Sequence, residues 1–232
     1  MRILLLLLLI PTLTFAQYSN ESEVSSVVTG GNSKVETYLV KTLNKYLDGK
    51  NTHQLSGQYT YGESRDEVSA REWNANYKFD RVWTDHFGFY VGEVVEGYRF
   101  QGIKARYNSD AGLKYYFTKS EKRNIFTEVG YRYTIEDQYY SETAYENKGR
   151  VFVEINDKPN NNFSYRIWAE YLPNFSRSND YLFIHEASLT SILTSRFSLK
   201  FAWKGIYDQE PVIEGNKNYD FTYTTSLVAR FN

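Results

Sequence analysis

The stretch Asn218-Tyr-Asp-Phe-Thr-Tyr-Thr-Thr-Ser-Leu-Val-Ala-Arg-Phe231 alternates two kinds of side chain along its whole length. Tyr219, Phe221, Tyr223, Thr225, Leu227, Ala229 and Phe231 fall on one parity; Asp220, Thr222, Thr224, Ser226, Val228 and Arg230 fall on the other. Successive side chains of a pleated strand point to opposite faces, so a period of two marks a strand between two solvents rather than a helix. One face suits lipid and the other suits water.

Upstream, the same pattern recurs in about twelve segments, near 22–29, 34–47, 52–63, 67–80, 86–97, 103–118, 124–136, 142–156, 162–173, 180–193, 196–208 and 218–231. The connections alternate in character. Asp48 to Asn51, Lys119 to Arg123, Asp157 to Asn161 and Thr194-Ser195 are tight and carry turn residues. Tyr98 to Gly102, Asp137 to Ser141, Asn174 to Asp180 and Gln209 to Lys217 are longer. Short turns at one end and longer loops at the other are the layout of outer-membrane barrels, with the short turns in the periplasm.

The two faces separate clearly in most segments. Ile103, Ala105, Tyr107, Ala111, Leu113, Tyr115 and Phe117 oppose Lys104, Arg106, Asn108, Asp110 and Lys114. Ile125, Val129, Tyr131, Tyr133 and Ile135 oppose Glu128, Arg132 and Glu136, and Val151, Val153 and Ile155 oppose Glu146, Lys148, Arg150 and Glu154. Phe163, Tyr165, Ile167, Ala169 and Tyr171 back onto Arg166, Trp168 and Glu170; Phe197, Leu199, Phe201 and Trp203 back onto Lys200 and Lys204. Residues 34–47 stay ambiguous, because Lys41 and Lys45 share the parity of Val35, Leu39 and Leu43.

A soluble sandwich or lipocalin-like barrel would alternate too, with the apolar face turned inward. Tyrosines toward the segment ends (Tyr107, Tyr115, Tyr133, Tyr171, Tyr219) favour the membrane version, as girdles at two interfaces require them. So does segment length, which exceeds the usual ~5–6 residues of soluble strands and covers the ~9–11 needed to cross a bilayer. An open edge in hydrocarbon would leave peptide groups unsatisfied, so the sheet must close. The expected fold is an all-β, closed antiparallel transmembrane barrel of about twelve strands with both termini periplasmic.

Composition agrees with this. The chain has 22 Tyr, 15 Phe, 4 Trp, no Cys and a formal net charge of -1, with a mean hydropathy of -0.57. Scattered Lys and Arg give no basic stripe for nucleic acid. Met1-Arg2, the apolar run Ile3–Ile10 and the site Thr14-Phe15-Ala16 read as a signal peptide over 1–16, which leaves 17–232 as one barrel domain. The run is too short for a membrane helix.

The polar face becomes the inferred lumen. Its candidate lining residues are Lys104, Arg106, Asp110, Lys114, Glu128, Arg132, Glu146, Arg150, Glu154, Arg166, Glu170, Glu186, Lys200 and Lys204. With Lys78, Lys148 and Arg230 among the cations, and Glu72, Glu136, Asp208 and Asp220 among the anions, eleven basic groups meet ten acidic ones. Charges kept from bulk water must pair, so two readings follow: a narrow or gated pore with weak charge selectivity, or ion pairs that only brace the wall. A one-sided basic lining for anions is missing.

Catalytic readings fare worse. A barrel lipase would need a His and a Ser on one face, whereas His185 and Ser188 fall on opposite faces. Acidic residues such as Glu136-Asp137, or Glu63 with Asp66 and Glu67, suit divalent cations and lipopolysaccharide better than a protease site. No metal-ligand spacing or glycine-rich phosphate loop occurs, so neither a catalytic site nor a cofactor is expected.

The turn Thr29-Gly-Gly-Asn-Ser33, the segment Asp110-Ala-Gly-Leu-Lys-Tyr-Tyr-Phe117, the run His185-Glu-Ala-Ser-Leu-Thr190 and the ending Thr222 to Phe231 resemble the salt-induced outer-membrane protein family, a bacterial barrel family of unknown function. The resemblance implies a non-enzymatic outer-membrane protein of a Gram-negative bacterium, linked to salt or osmotic stress. It implies outer-membrane lipid, lipopolysaccharide and the barrel-assembly machinery as partners. Asn232 follows Phe231 where such a family implies a terminal aromatic. The alternative is a structural or adhesion barrel that binds ligands through its extracellular loops; an outer-membrane phospholipase or protease has the least support.

Overall fold

The computed structural model describes residues 17–29, 35–213 and 215–231. The expected signal peptide over 1–16, and residues 30–34 with most of the expected turn Thr29–Ser33, lie outside the described residues. Twelve strands follow one another: β1 (Gln17–Thr29), β2 (Val35–Asp48), β3 (Asn51–Ser64), β4 (Glu67–Val82), β5 (Phe87–Tyr98), β6 (Ile103–Lys119), β7 (Arg123–Gln138), β8 (Ala144–Asp157), β9 (Phe163–Pro173), β10 (Tyr181–Ile192), β11 (Phe197–Asp208) and β12 (Tyr219–Phe231). A single 3-10 turn, Arg99–Gln101, stands between β5 and β6. Each strand pairs antiparallel with its sequence neighbours, and β1 pairs with β12, which closes the barrel.

Hydrophobic burial is inverted relative to a soluble protein. Leu113, Val129, Ile167, Leu189, Phe201 and Leu227 are exposed on the outside, while Glu128, Thr134 and Ser226 are at most 1% exposed within. Because the strand number is even, both ends of the barrel sequence lie at one rim, where Asn20 pairs with Phe231. At that rim the connections are short, and Gly49 adopts φ +58°, a conformation that costs a residue without Cβ little. The opposite rim holds the longer connections, with one departure from that layout: β3 and β4 are joined by Arg65 and Asp66 alone, both at positive φ. Two successive left-handed residues give the turn a twist that matches the flanking strands.

Register resolves the ambiguous second segment. Lys41 is paired with Glu23, and the two are 3.7 Å apart inside the barrel, so Leu39, Lys41 and Lys45 face inward and Tyr38 and Val40 outward. Register also corrects one residue. The pairing of β6 with β7 slips between Ile103 and Ala105, and this bulge turns Ile103 into the interior, where it is 2% exposed. Lys104, expected in the lumen, is therefore an exposed outer residue, because one extra residue reverses strand parity.

Aromatic rings lie over glycines at several points of the wall. Gly112 and Gly130 sit opposite each other on β6 and β7, and a Cβ on either would come within 2.7 Å of the Tyr90 hydroxyl. Tyr90 is 1% exposed and fills the dimple that the two glycines leave. Replacing Gly130 by Val should destabilise the barrel by about 1–3 kcal/mol through overpacking, whereas Val129→Ile on the outer face of the same strand should be nearly neutral. Urea unfolding of the two variants in lipid vesicles checks this.

Candidate functional site

The interior encloses a cavity of about 760 Å3 whose lining reaches from Thr52, Asn124 and Ser164 at the terminal rim to Gln101, Asp208 and Val212 at the other. Of the lumen candidates, Arg106, Asp110, Lys114, Arg132, Arg150, Glu154, Arg166, Glu170, Glu186, Lys200 and Lys204 line it. Glu128 is wholly buried behind them. Glu146 is buried near the rim, where it pairs with Lys148 at 2.6 Å and with Arg177.

Antiparallel register builds the centre of this site directly. Lys114 sits opposite Glu128, Asp110 opposite Arg132, and Arg106 opposite Glu136, so β6 and β7 carry three cross-strand pairs of opposite sign. Glu128 accepts from Lys78 at 2.5 Å and from Arg150 at 2.8 Å, and lies 3.1 Å from Lys114. Arg150 also donates to Glu170 at 2.5 Å, and Arg132 forks onto Asp110 at 2.6 and 2.8 Å. Lys114 reaches Asp80 on β4 at 2.9 Å. Glu128, Asp110, Asp80 and Glu170 thus each meet two or more cations, and Glu136 meets Arg106, which is what burial of charge demands.

Inward aromatic rings support the cluster, a layer that the count of charges left out. Lys114 stands 4.0 Å from the Phe126 centroid, Arg150 4.9 Å from Tyr90 and 5.2 Å from Phe152, and Lys78 4.9 Å from Tyr90. A cation over a ring face in a partly dry site gains electrostatically. Tyr116, Phe126, Phe152 and Trp168 follow one another across β6 to β9 with centroids 5.7 to 5.9 Å apart.

The opposite wall carries a smaller set of pairs. There Glu23 joins Lys200 at 3.0 Å and Ser226 at 2.7 Å, and Arg230 holds Glu21 at 2.8 Å. Glu21, Glu23, Asp80 and Glu96 line the cavity although the sequence reading passed over them, and so do Lys41 and Lys45, whose facing it left open. For Glu21 the signal was the register of β1 against β12, which puts it beside Arg230. In all, twelve basic and ten acidic side chains line the cavity, with Glu128 just behind, so the lumen carries little net charge.

At the non-terminal rim, Val212 and Ile213 reach across from the β11–β12 connection to Gly102, six strands away, where a Cβ would meet Ile213 at 2.9 Å. Arg177, between β9 and β10, links Glu146, Asp180 and Glu210. Burial works against the Arg177 charge, but Glu146 and Asp180 outweigh it and hold the guanidinium above its ordinary range. His185 lies outside, 4.7 Å from the Trp203 ring, while Ser188 lines the lumen, so the two do not meet. Among the described residues no cluster of ligands fits a metal ion.

A family model described as "Protein of unknown function, DUF481" matches residues 22–231, and the chain belongs to that family. No curated protein matches it in sequence. Among solved structures, an outer-membrane channel from Pseudomonas putida F1 is similar with a TM-score of 0.55 at 9% identity, covering 95% of this chain and 97% of that one. The NanC porin gives 0.52 at 9% identity over 92% and 98% of the two chains. The KdgM porin in complex with disordered oligogalacturonate gives 0.51 at 9% identity over the same shares. At this identity the likeness shows the fold, a porin-like outer-membrane barrel.

Removing Glu128 should leave Lys78, Lys114 and Arg150 facing one another without their shared anion. Glu128→Ala is expected to destabilise the barrel by about 3–5 kcal/mol, and Arg166→Ala, whose side chain is partly exposed, by less than half as much. Equilibrium unfolding in urea with each variant in vesicles measures the difference.

Proposed function

We propose that this DUF481 protein is a non-enzymatic outer-membrane channel of narrow bore, exported by the segment that ends at Ala16, with both chain ends facing the periplasm. The observation that carries the reading is the polar cavity lined from one rim to the other. A barrel that served only as an anchor could fill its interior with side chains; here ion pairs line the wall, most densely around Glu128 and again where Glu21, Glu23 and Glu186 meet Lys41, Lys200 and Arg230, and a cavity stays open between them. The near balance of lining charge argues for weak ion selectivity. The Val212–Ile213 contact with Gly102 narrows the non-terminal mouth. A role in salt or osmotic stress fits small, weakly selective flux across the envelope.

His185 supports the non-enzymatic reading. It stacks with Tyr219 on the outside and donates to or accepts from its hydroxyl at 3.2 Å, a packing role at the membrane interface.

Purified protein in planar bilayers should show discrete openings with nearly equal cation and anion permeability. The double substitution Val212→Gly, Ile213→Gly should raise the conductance or the open time. A silent bilayer with folded protein of either form would overturn the channel reading.

A further inference from the structure

The barrel is zipped unequally. Strand β1 matches β2 over thirteen register pairs and β11 matches β12 over eleven, but β1 and β12 share only five, from Asn20–Phe231 to Val24–Leu227. The next shortest seam, β8–β9, has seven pairs and then resumes through the Lys148–Asn174 bridge. Among the described residues no backbone pairing resumes above Val24. Instead Ser25 Oγ donates to the Thr225 carbonyl at 2.7 Å, a side chain in the place of a backbone rung.

This opening lies at membrane depth. Tyr171, Tyr181 and Tyr207 lie side by side on the outside with centroids 5.6 Å apart, and Tyr219 is in register with Tyr207, so they mark the membrane interface at the non-terminal rim. The unpaired edge of β12 runs from there back toward Leu227. Its outward residues Phe221 and Tyr223 are 60% and 70% exposed. A bare strand edge cannot persist in hydrocarbon, so water from the lumen or a polar ligand must reach it. Just inside, Lys204 lies in register with Thr222 and faces the cavity. Among the described residues Lys204 makes no ion pair or hydrogen bond, although Glu72 and Glu186 lie within its electrostatic reach.

We propose that the upper β1–β12 seam is a lateral port for a single-chain anionic amphiphile of the fatty-acid class. The carboxylate pairs with Lys204 beside the Thr222 hydroxyl, and the hydrocarbon chain passes out past Val27 and Tyr223 onto the aromatic strip of β12. One ligand thereby supplies the missing partner of a cation and covers exposed rings, which neither an inorganic anion nor a neutral lipid would do. The assignment goes beyond ion conduction and does not depend on it.

The test is saturable binding of cis-parinaric acid to the protein in nanodiscs. A Ser26→Cys/Thr225→Cys pair continues the register of the closed part outward, and its disulfide would shut the port. Ser22→Cys/Ala229→Cys bridges a pair already in register and serves as control. Binding should fall at least tenfold in the shut variant, recover on reduction, and stay unchanged in the control. Lys204→Gln should weaken it at least fivefold. Equal binding in shut and open forms, no saturable binding by the unmodified protein, or a Thr225→Cys cross-link between two chains would overturn the port. Conductance of the shut variant, measured in parallel, separates this outcome from failure of the channel reading.

Discussion

Every peptide group at the depth of hydrocarbon must find its hydrogen-bond partner within the protein or in the water of its lumen, and the remaining features of this chain follow from that constraint. It forces the twelve strands into one closed sheet. Closure divides space into an outside and an inside, and the strand pleat then sorts side chains between them at every second residue. Leu113 goes to lipid and Lys114 to the lumen because they are neighbours, not because either selects its place independently.

Once the charges are inside, a second constraint takes over. Each ion held from bulk water loses hydration that only close, well-directed partners replace. Antiparallel register brings Asp110 to Arg132 and Lys114 to Glu128 without any loop or helix to position them. Long side chains on β4, β8 and β9 then tie the pairs into a network around Glu128. A second, smaller set of pairs around Glu23 and Lys200 braces the wall opposite, and the cavity runs between the two. The glycines under Tyr90 serve the same end, since they let a ring lie flat beneath Lys78 and Arg150.

Much of this was legible in residue order, because period-two alternation depends on the pleat alone. The twelve segments, the inward face of β7 and the opposite facing of His185 and Ser188 all follow from parity. Where parity breaks, sequence reading fails. The bulge at Lys104 inserts one residue, and no local residue type announces it. Strand β2 mixes lysine and leucine on one face, so its orientation came only from the pairing of Lys41 with Glu23. The inward rings of Tyr116, Phe126 and Phe152 were hidden for a different reason: they belong to the polar face by position but to the apolar class by composition. The reach of Ile213 to Gly102 and the short β1–β12 seam are long-range facts that alternation cannot encode.

The most direct test of the account is a spin-label scan along β7, residues 125–135, with the protein in lipid vesicles. Collision with oxygen, which concentrates in lipid, should be high at Val129, Tyr131 and Tyr133 and low at Glu128, Gly130 and Arg132, giving a period of two. Uniform accessibility along the strand, or oxygen maxima at the even positions, would contradict a barrel whose apolar side chains face the bilayer and whose paired charges fill the lumen.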